Sequence, residues 1–206
     1  MPFPDHSTLG IFALAAIALL VIPGPSVLYV VTQSAEQGRV AGLASVAGIH
    51  LGTFVHVAAA ALGLSAIVLA SAVAFSAVKF AGAAYLIYVG IRKLLEGVNP
   101  PELAARRAPL RTVFVRGIVV NVLNPKTALF FLAFVPQFVD TAAGGIWFQV
   151  VVFGLIVIGL GLVTDSLYAL AGGTIGNLLR RRRRAMGYAS GVIYIGLGTA
   201  AALAKR

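Results

Sequence analysis

An all-α integral membrane fold is what this sequence predicts: six transmembrane helices forming two inverted three-helix repeats, with helices 1 and 4 broken. Three observations predict it. The 206 residues are 60% apolar and only 11% charged, with a mean hydropathy of +0.98, well outside the usual composition of a soluble domain. The chain then divides into runs with few or no charges, each near the roughly 20 residues that a bilayer core requires. Finally, Pro23-Gly24-Pro25 and Asn124-Pro125-Lys126 interrupt these runs at corresponding places in the two halves.

The apolar runs place spans near 8–32, 41–70, 73–92, 113–138, 146–173 and 187–204. No Lys or Arg precedes Arg39 and no cleavage motif is evident, so Leu9 to Val31 reads as a retained span. The charged, proline-containing stretch at 96–112, with Pro100-Pro101, Glu102, Arg106, Arg107 and Arg111, reads as a cytoplasmic linker. It separates a first repeat, 1–95, from a second, 113–206.

Charge sets the orientation. Arg39 follows span one, the cluster from Arg92 to Arg116 follows span three, and five arginines from Arg180 to Arg184 follow span five. The even-numbered loops carry little positive charge, so the positive-inside rule puts both termini outside the cytoplasm, against the weaker signal of Lys205 and Arg206. Two three-span halves entering from opposite sides form an inverted pair. Broken helices in matching positions of such a pair point to a transporter site at the repeat interface.

Each break frees backbone groups, because proline has no N–H to donate to the carbonyl four residues earlier. Hydrocarbon cannot satisfy those groups, so a broken span belongs against polar side chains or a cavity. Pro25 suits the first position of a new half-helix, with Ser26 in its first turn. Asn124 is a favoured N-cap, Pro125 a favoured first residue, and Lys126 adds positive charge, a combination suited to a carboxylate. The competing reading makes both motifs structural kinks, with Lys126 reaching toward the interface.

Asp165 is the acidic residue well inside a span, and burying an Asp or Lys at a helix centre costs roughly 2.5–3.5 kcal/mol on insertion scales, so Asp165 and Lys126 are expected to face the bundle interior. Asp165 is a candidate to bind a substrate ammonium group, to carry a coupling proton, or simply to neutralise Lys126. His50, Thr53 and His56 sit three residues apart on span two, and both histidines are candidates for proton coupling. Two imidazoles six residues apart are too few for a metal site, and none is expected. Gly48 with Gly52, Gly159 with Gly161, and Gly191 with Gly196 and Gly198 are read as helix-packing positions. Lys79, Tyr85, Tyr88, Trp147 and Tyr168 have ordinary interfacial or packing uses.

Composition also excludes. With no cysteine there are no disulfides, thiolate metal sites or thiol redox chemistry. The net charge of +10 follows the loops and the arginine run, which suits topology and anionic lipid headgroups and not nucleic acid. No combination of paired acids, nucleophile and base suggests an enzyme, and no cofactor is expected.

Ile22-Pro23-Gly24-Pro25-Ser26, the stretch from Gly38 to Gly52, Ala83-Ala84-Tyr85-Leu86-Ile87-Tyr88-Val89-Gly90-Ile91, and Asn121 to Phe138 with its Asn124-Pro125-Lys126 together resemble the LysE/RhtB family of amino-acid exporters. Family members often carry an acidic residue in span two, where this chain reads Ile49-His50-Leu51-Gly52-Thr53. The resemblance implies a bacterial inner-membrane efflux carrier for amino acids such as homoserine, threonine, leucine or lysine, coupled to protons. Its family motifs fall on Pro23, Gly24, Pro25, Asn124, Pro125 and Lys126. The substrate is expected between the two breaks, with Ser26 and Asp165 completing the site. A homodimer is compatible with this reading. The alternatives are a passive small-solute channel, or a membrane-embedded enzyme or partner protein that transports nothing.

Overall fold

The computed structural model describes residues 4–96, 108–172 and 183–203. Most of the expected linker, the arginines from Arg180 to Arg182, and Lys205 with Arg206 lie outside these residues. The described residues are helical almost throughout, and no strand occurs among them. In chain order they form α1 (His6–Val21), α2 (Pro25–Gln37), α3 (Arg39–Ala70), α4 (Ala72–Glu96), α5 (Leu110–Val122), α6 (Pro125–Leu129), α7 (Ile146–Leu170) and α8 (Arg183–Leu203). After α6 the chain continues through a π-helical stretch, Phe130–Phe134, and a 3₁₀ turn, Val135–Gln137.

The two proline motifs act as the sequence predicts. α1 and α2 meet at a 52° bend, and α5 meets the Pro125–Gln137 segment at 45°. α3 and α7 are each long and apolar enough to cross a membrane, and there are up to four such spans if each bent pair counts as one. α4 and α8, at the places of the third and sixth expected spans, pack against one another. By length and composition they do not meet that test over the described residues.

Local chemistry sets the element boundaries. Asp5 caps α1, accepting from the Thr8 N–H at 2.8 Å. Gly38 takes φ +90° between α2 and α3, a conformation that L side chains rarely adopt. The turn before α7 is tied by the buried Gln149 side chain, which donates to the carbonyls of Asp140 and Gly144 and accepts from the Asp140 N–H.

Packing depends on small residues where helices touch most closely. A Cβ on Gly48 would stand 2.1 Å from the Phe114 carbonyl oxygen, and one on Gly52 would stand 2.9 Å from that of Ile118. These two glycines therefore let α3 lie directly on α5, as expected for a small-residue contact. Gly161, Gly191 and Gly198 also sit at close contacts, whereas Gly159 and Gly196 face open space, so the packing reading fails at those two. Large apolar side chains such as Leu14, Leu62, Leu132, Val163 and Leu167 point outward, while Ser26, His50, Thr53, Asn121, Asn124 and Asp165 are buried. This inversion of the soluble pattern suits a chain solvated by lipid.

The larger apolar clusters among the described residues are two. One gathers Phe12, Leu19, Phe130, Phe131, Phe134 and Phe153. The other gathers Tyr29, Val30, Ile49, Val113 and Ala169.

Candidate functional site

The carbonyls freed by each proline can be named from helix geometry, since an N–H at residue i donates to the carbonyl at i−4. Pro23 deprives Leu19, Pro25 deprives Val21, and Pro125 deprives Asn121. The structure supplies each with a donor from elsewhere. The Lys126 ammonium donates to the Leu19 carbonyl at 2.7 Å and to that of Ile22 at 2.6 Å. The Tyr168 hydroxyl donates to the Val21 carbonyl at 2.7 Å. His56 Nε2 lies 3.0 Å from the Asn121 carbonyl, which also accepts the Asn124 N–H at 3.0 Å. A carbonyl can only accept, so His56 carries its proton on Nε2.

The two breaks are joined side by side. Asn124 caps α6 by accepting from the Lys126 N–H at 3.0 Å and donates through Nδ2 to Ser26 Oγ at 2.7 Å. Ser26 in turn donates to Asn121 Oδ1 at 2.9 Å, where Thr127 also donates at 3.0 Å. The Asn121 amide donates to the Ile49 carbonyl and to Thr53 Oγ1, both at 2.9 Å. Asn121 thus uses both amide protons and accepts twice while almost fully buried, which makes it the hub of the junction. Gly24 completes the fit: a Cβ there would lie 3.0 Å from Lys126 Cδ, so the lysine stem lies across the bare backbone.

Beside this network lies a second pair. His50 Nε2 is 3.1 Å from Asp165 Oδ2, with both side chains buried. The contact is off the line of a hydrogen bond, and neither the His50 Nδ1 nor the Asp165 Oδ1 has a hydrogen-bond partner among the described residues. Gly161 makes room for the imidazole, since a Cβ there would stand 2.4 Å from His50 Cε1. Buried polar atoms without a partner are uncommon in folded proteins.

A single cavity of about 50 Å³ joins these parts, lined by Gly24, Ser26, His50, Asn124, Lys126 and Asp165 among others. It has room for only a few waters, because one water needs roughly 10–15 Å³ of such space. Of the site residues expected from sequence, Gly24, Ser26, His50, Asn124, Lys126 and Asp165 line the cavity, while Pro23, Pro25 and Pro125 adjoin them in the chain but are not part of its lining. His56 stands apart from the cavity lining, bound to the second break and stacked on Phe131 at 2° and 6.2 Å. The carbonyls of Leu19 and Ile22 hold the lysine ammonium here.

Asn121 and Tyr168 are contributors that the sequence reading does not assign to the site. The signal for Asn121 was present, as a polar residue four before Pro125 inside an apolar run. No group of three or more His, Cys, Asp or Glu able to hold a metal ion occurs among the described residues.

Residues 17–205 match the family described as LysE type translocator. An uncharacterized membrane protein of Pseudomonas aeruginosa is 31% identical over 212 residues, covering 96% of this chain and 98% of that protein. The membrane protein YrhP of Bacillus subtilis is 30% identical over 145 residues, 66% of this chain and 69% of its own length. A leucine efflux protein of Salmonella typhimurium is 27% identical over 134 residues, and the match spans 64% of this chain and 63% of that relative. No solved structure matches the chain.

Proposed function

The chain belongs to the LysE type translocator family, and from that premise we propose that it exports an amino acid through the junction of its two broken helices. Membership makes it a membrane transporter. An aliphatic amino acid such as leucine is the substrate favoured by the leucine efflux relative.

The observation that carries the reading is the convergence of both breaks on one buried polar cavity that holds a cation, Lys126, and an acid, Asp165. A zwitterion needs both signs of charge at its site. Its carboxylate is directed toward Lys126 and the half-helix N-termini that begin at Pro25 and Pro125. The apolar side chain is directed toward Leu19, Val27, Phe130, Phe131 and Val157, which line the same cavity.

In this account six spans form two inverted halves, 1–95 and 113–206, joined by a cytoplasmic linker at 96–112, with both termini outside the cytoplasm of a bacterial inner membrane. Rocking of the halves about the junction exposes the site to either side in turn. The coupling proton is carried by the His50 and Asp165 pair, whose buried contact and unpartnered atoms leave each able to gain or lose a hydrogen bond as a proton moves. His56 holds the second break in place. The remaining partners are membrane lipid and, in this account, a second copy of the chain in a homodimer.

Counterflow of labelled leucine and other amino acids in proteoliposomes tests the reading. A saturable exchange is expected, and Asp165→Asn should lose uptake driven by a proton gradient. A flux that rises linearly with concentration for every amino acid would show a passive pore instead.

A further inference from the structure

The carbonyls of Leu19 and Ile22 stand at the C-terminal end of α1, where the partial negative charge of the half-helix is concentrated. Pro23 has removed the ordinary donor to Leu19, and the break lies against a cavity instead of continuing helix. Two carbonyl oxygens on one side of a helix end make a site for a cation with N–H donors. The site is filled in this structure by a primary ammonium group, that of Lys126, at 2.7 and 2.6 Å. The lysine comes from the opposite break, more than a hundred residues away in sequence, and its stem crosses the one residue at the break whose missing Cβ leaves room for it, Gly24.

We propose that the Leu19 and Ile22 carbonyls are the ammonium subsite of the carrier, and that Lys126 is its tethered occupant when no substrate is bound. The proposal rests on the amino-acid export reading and deepens it. An arriving amino acid presents the same functional group as the lysine, so it exchanges with Lys126 without leaving either carbonyl bare at any stage. The displaced ammonium then lies next to the substrate carboxylate and pairs with it. One lysine thereby seals the empty site and recognises the filled one. The small size of the cavity follows: about 50 Å³ remains because the lysine stem lies across the break, and its withdrawal opens the space that the substrate takes. A ligand with a carboxylate but no ammonium group cannot release Lys126, which makes the site selective for amino acids over hydroxy or keto acids.

The test is chemical replacement of the lysine. Purified Lys126→Ala is titrated with isoamylamine, a primary amine without a carboxylate, and its thermal unfolding midpoint is followed alongside that of the wild type. The midpoint of the variant should rise by several degrees while the wild type stays unchanged. An isoamyl trimethylammonium salt, equally charged but without N–H groups, should not reproduce the rise. Equal effects of the two cations, or none from the amine, overturn the proposal, and a rise produced by sodium or potassium ions in the amine's place assigns a metal-ion site instead.

A wild-type arm decides the matter even if the variant does not fold. The hydroxy-acid analogue of a transported amino acid should inhibit its counterflow at least tenfold more weakly than the amino acid itself, and equal inhibition overturns the proposal. Absence of counterflow for every amino acid in the wild type would defeat the export reading, while the amine titration would still report on the subsite.

Discussion

The two breaks use the same residue and solve opposite problems. At Pro23-Gly24-Pro25 the chain offers acceptors, the carbonyls of Leu19, Val21 and Ile22, and apart from the Ile22 N–H that reaches the Leu19 carbonyl at 3.3 Å, the donors to them come from other helices. At Asn124-Pro125-Lys126 the chain is rich in side-chain donors and its own cap, and it exports two of them, Asn124 to Ser26 and Lys126 to the first break. Neither break is satisfied alone, because the unpaired groups of the first are met largely by the side chains of the second. The lesson is that a broken pair of this kind is one polar unit split between two halves of a chain, so movement of one half against the other must remake its hydrogen bonds.

That comparison can be broken most severely at its hub. Asn121→Leu removes four side-chain hydrogen bonds at once, takes the acceptor from the Ser26 and Thr127 hydroxyls and withdraws a donor from the Ile49 carbonyl and from Thr53. A loss of about 3 kcal/mol or more is expected, since each buried group left unpaired costs roughly 1–3 kcal/mol. Thermal unfolding in detergent should show it, together with lost counterflow. Stability close to wild type would mean that the breaks do not depend on one another.

A smaller effect isolates the second break. His56→Phe keeps the aromatic packing on Phe131 but withdraws a donor from the Asn121 carbonyl, for an expected loss of about 1 kcal/mol. Pro125→Ala restores a backbone N–H aimed at the same carbonyl. In the double variant the His56→Phe loss should shrink by about half, a non-additivity that a double-mutant cycle reads directly. Strict additivity would show that His56 does not stand in for the missing backbone donor.

The smallest effect belongs to the outer edge of the first break. Tyr168→Phe removes one neutral hydrogen bond, to the Val21 carbonyl at the exposed edge of the junction. The expected cost is about 0.5 kcal/mol with transport retained. A large loss of transport would extend the functional site to that edge of the junction.

Much of this arrangement was legible in the sequence. Proline chemistry locates both breaks and names the carbonyls each one frees, and the insertion cost of Lys126 and Asp165 predicts that they turn inward. Their partners were not legible, because the donor to Val21 lies 147 residues away along the chain and no local pattern records which helices will touch. Asp165 shows the same limit: its burial follows from its charge, but its contact with His50 depends on the space that Gly161, one turn earlier on the same helix, leaves for the imidazole of α3. Asn121 stands out as a polar residue four before Pro125 in an apolar run, but its place as hub depends on neighbours across the interface that no local motif records.

The central claim is that substrate occupies the junction of the two breaks, and protection of Ser26 tests it most directly. The chain has no native cysteine, so Ser26→Cys places a single thiol on the cavity wall, where its reaction with a small thiol reagent can be timed in proteoliposomes. The account predicts that the transported amino acid slows the reaction several-fold, with half-protection at the concentration that half-saturates counterflow. A rate of modification indifferent to saturating substrate, in a variant that still transports, would contradict it.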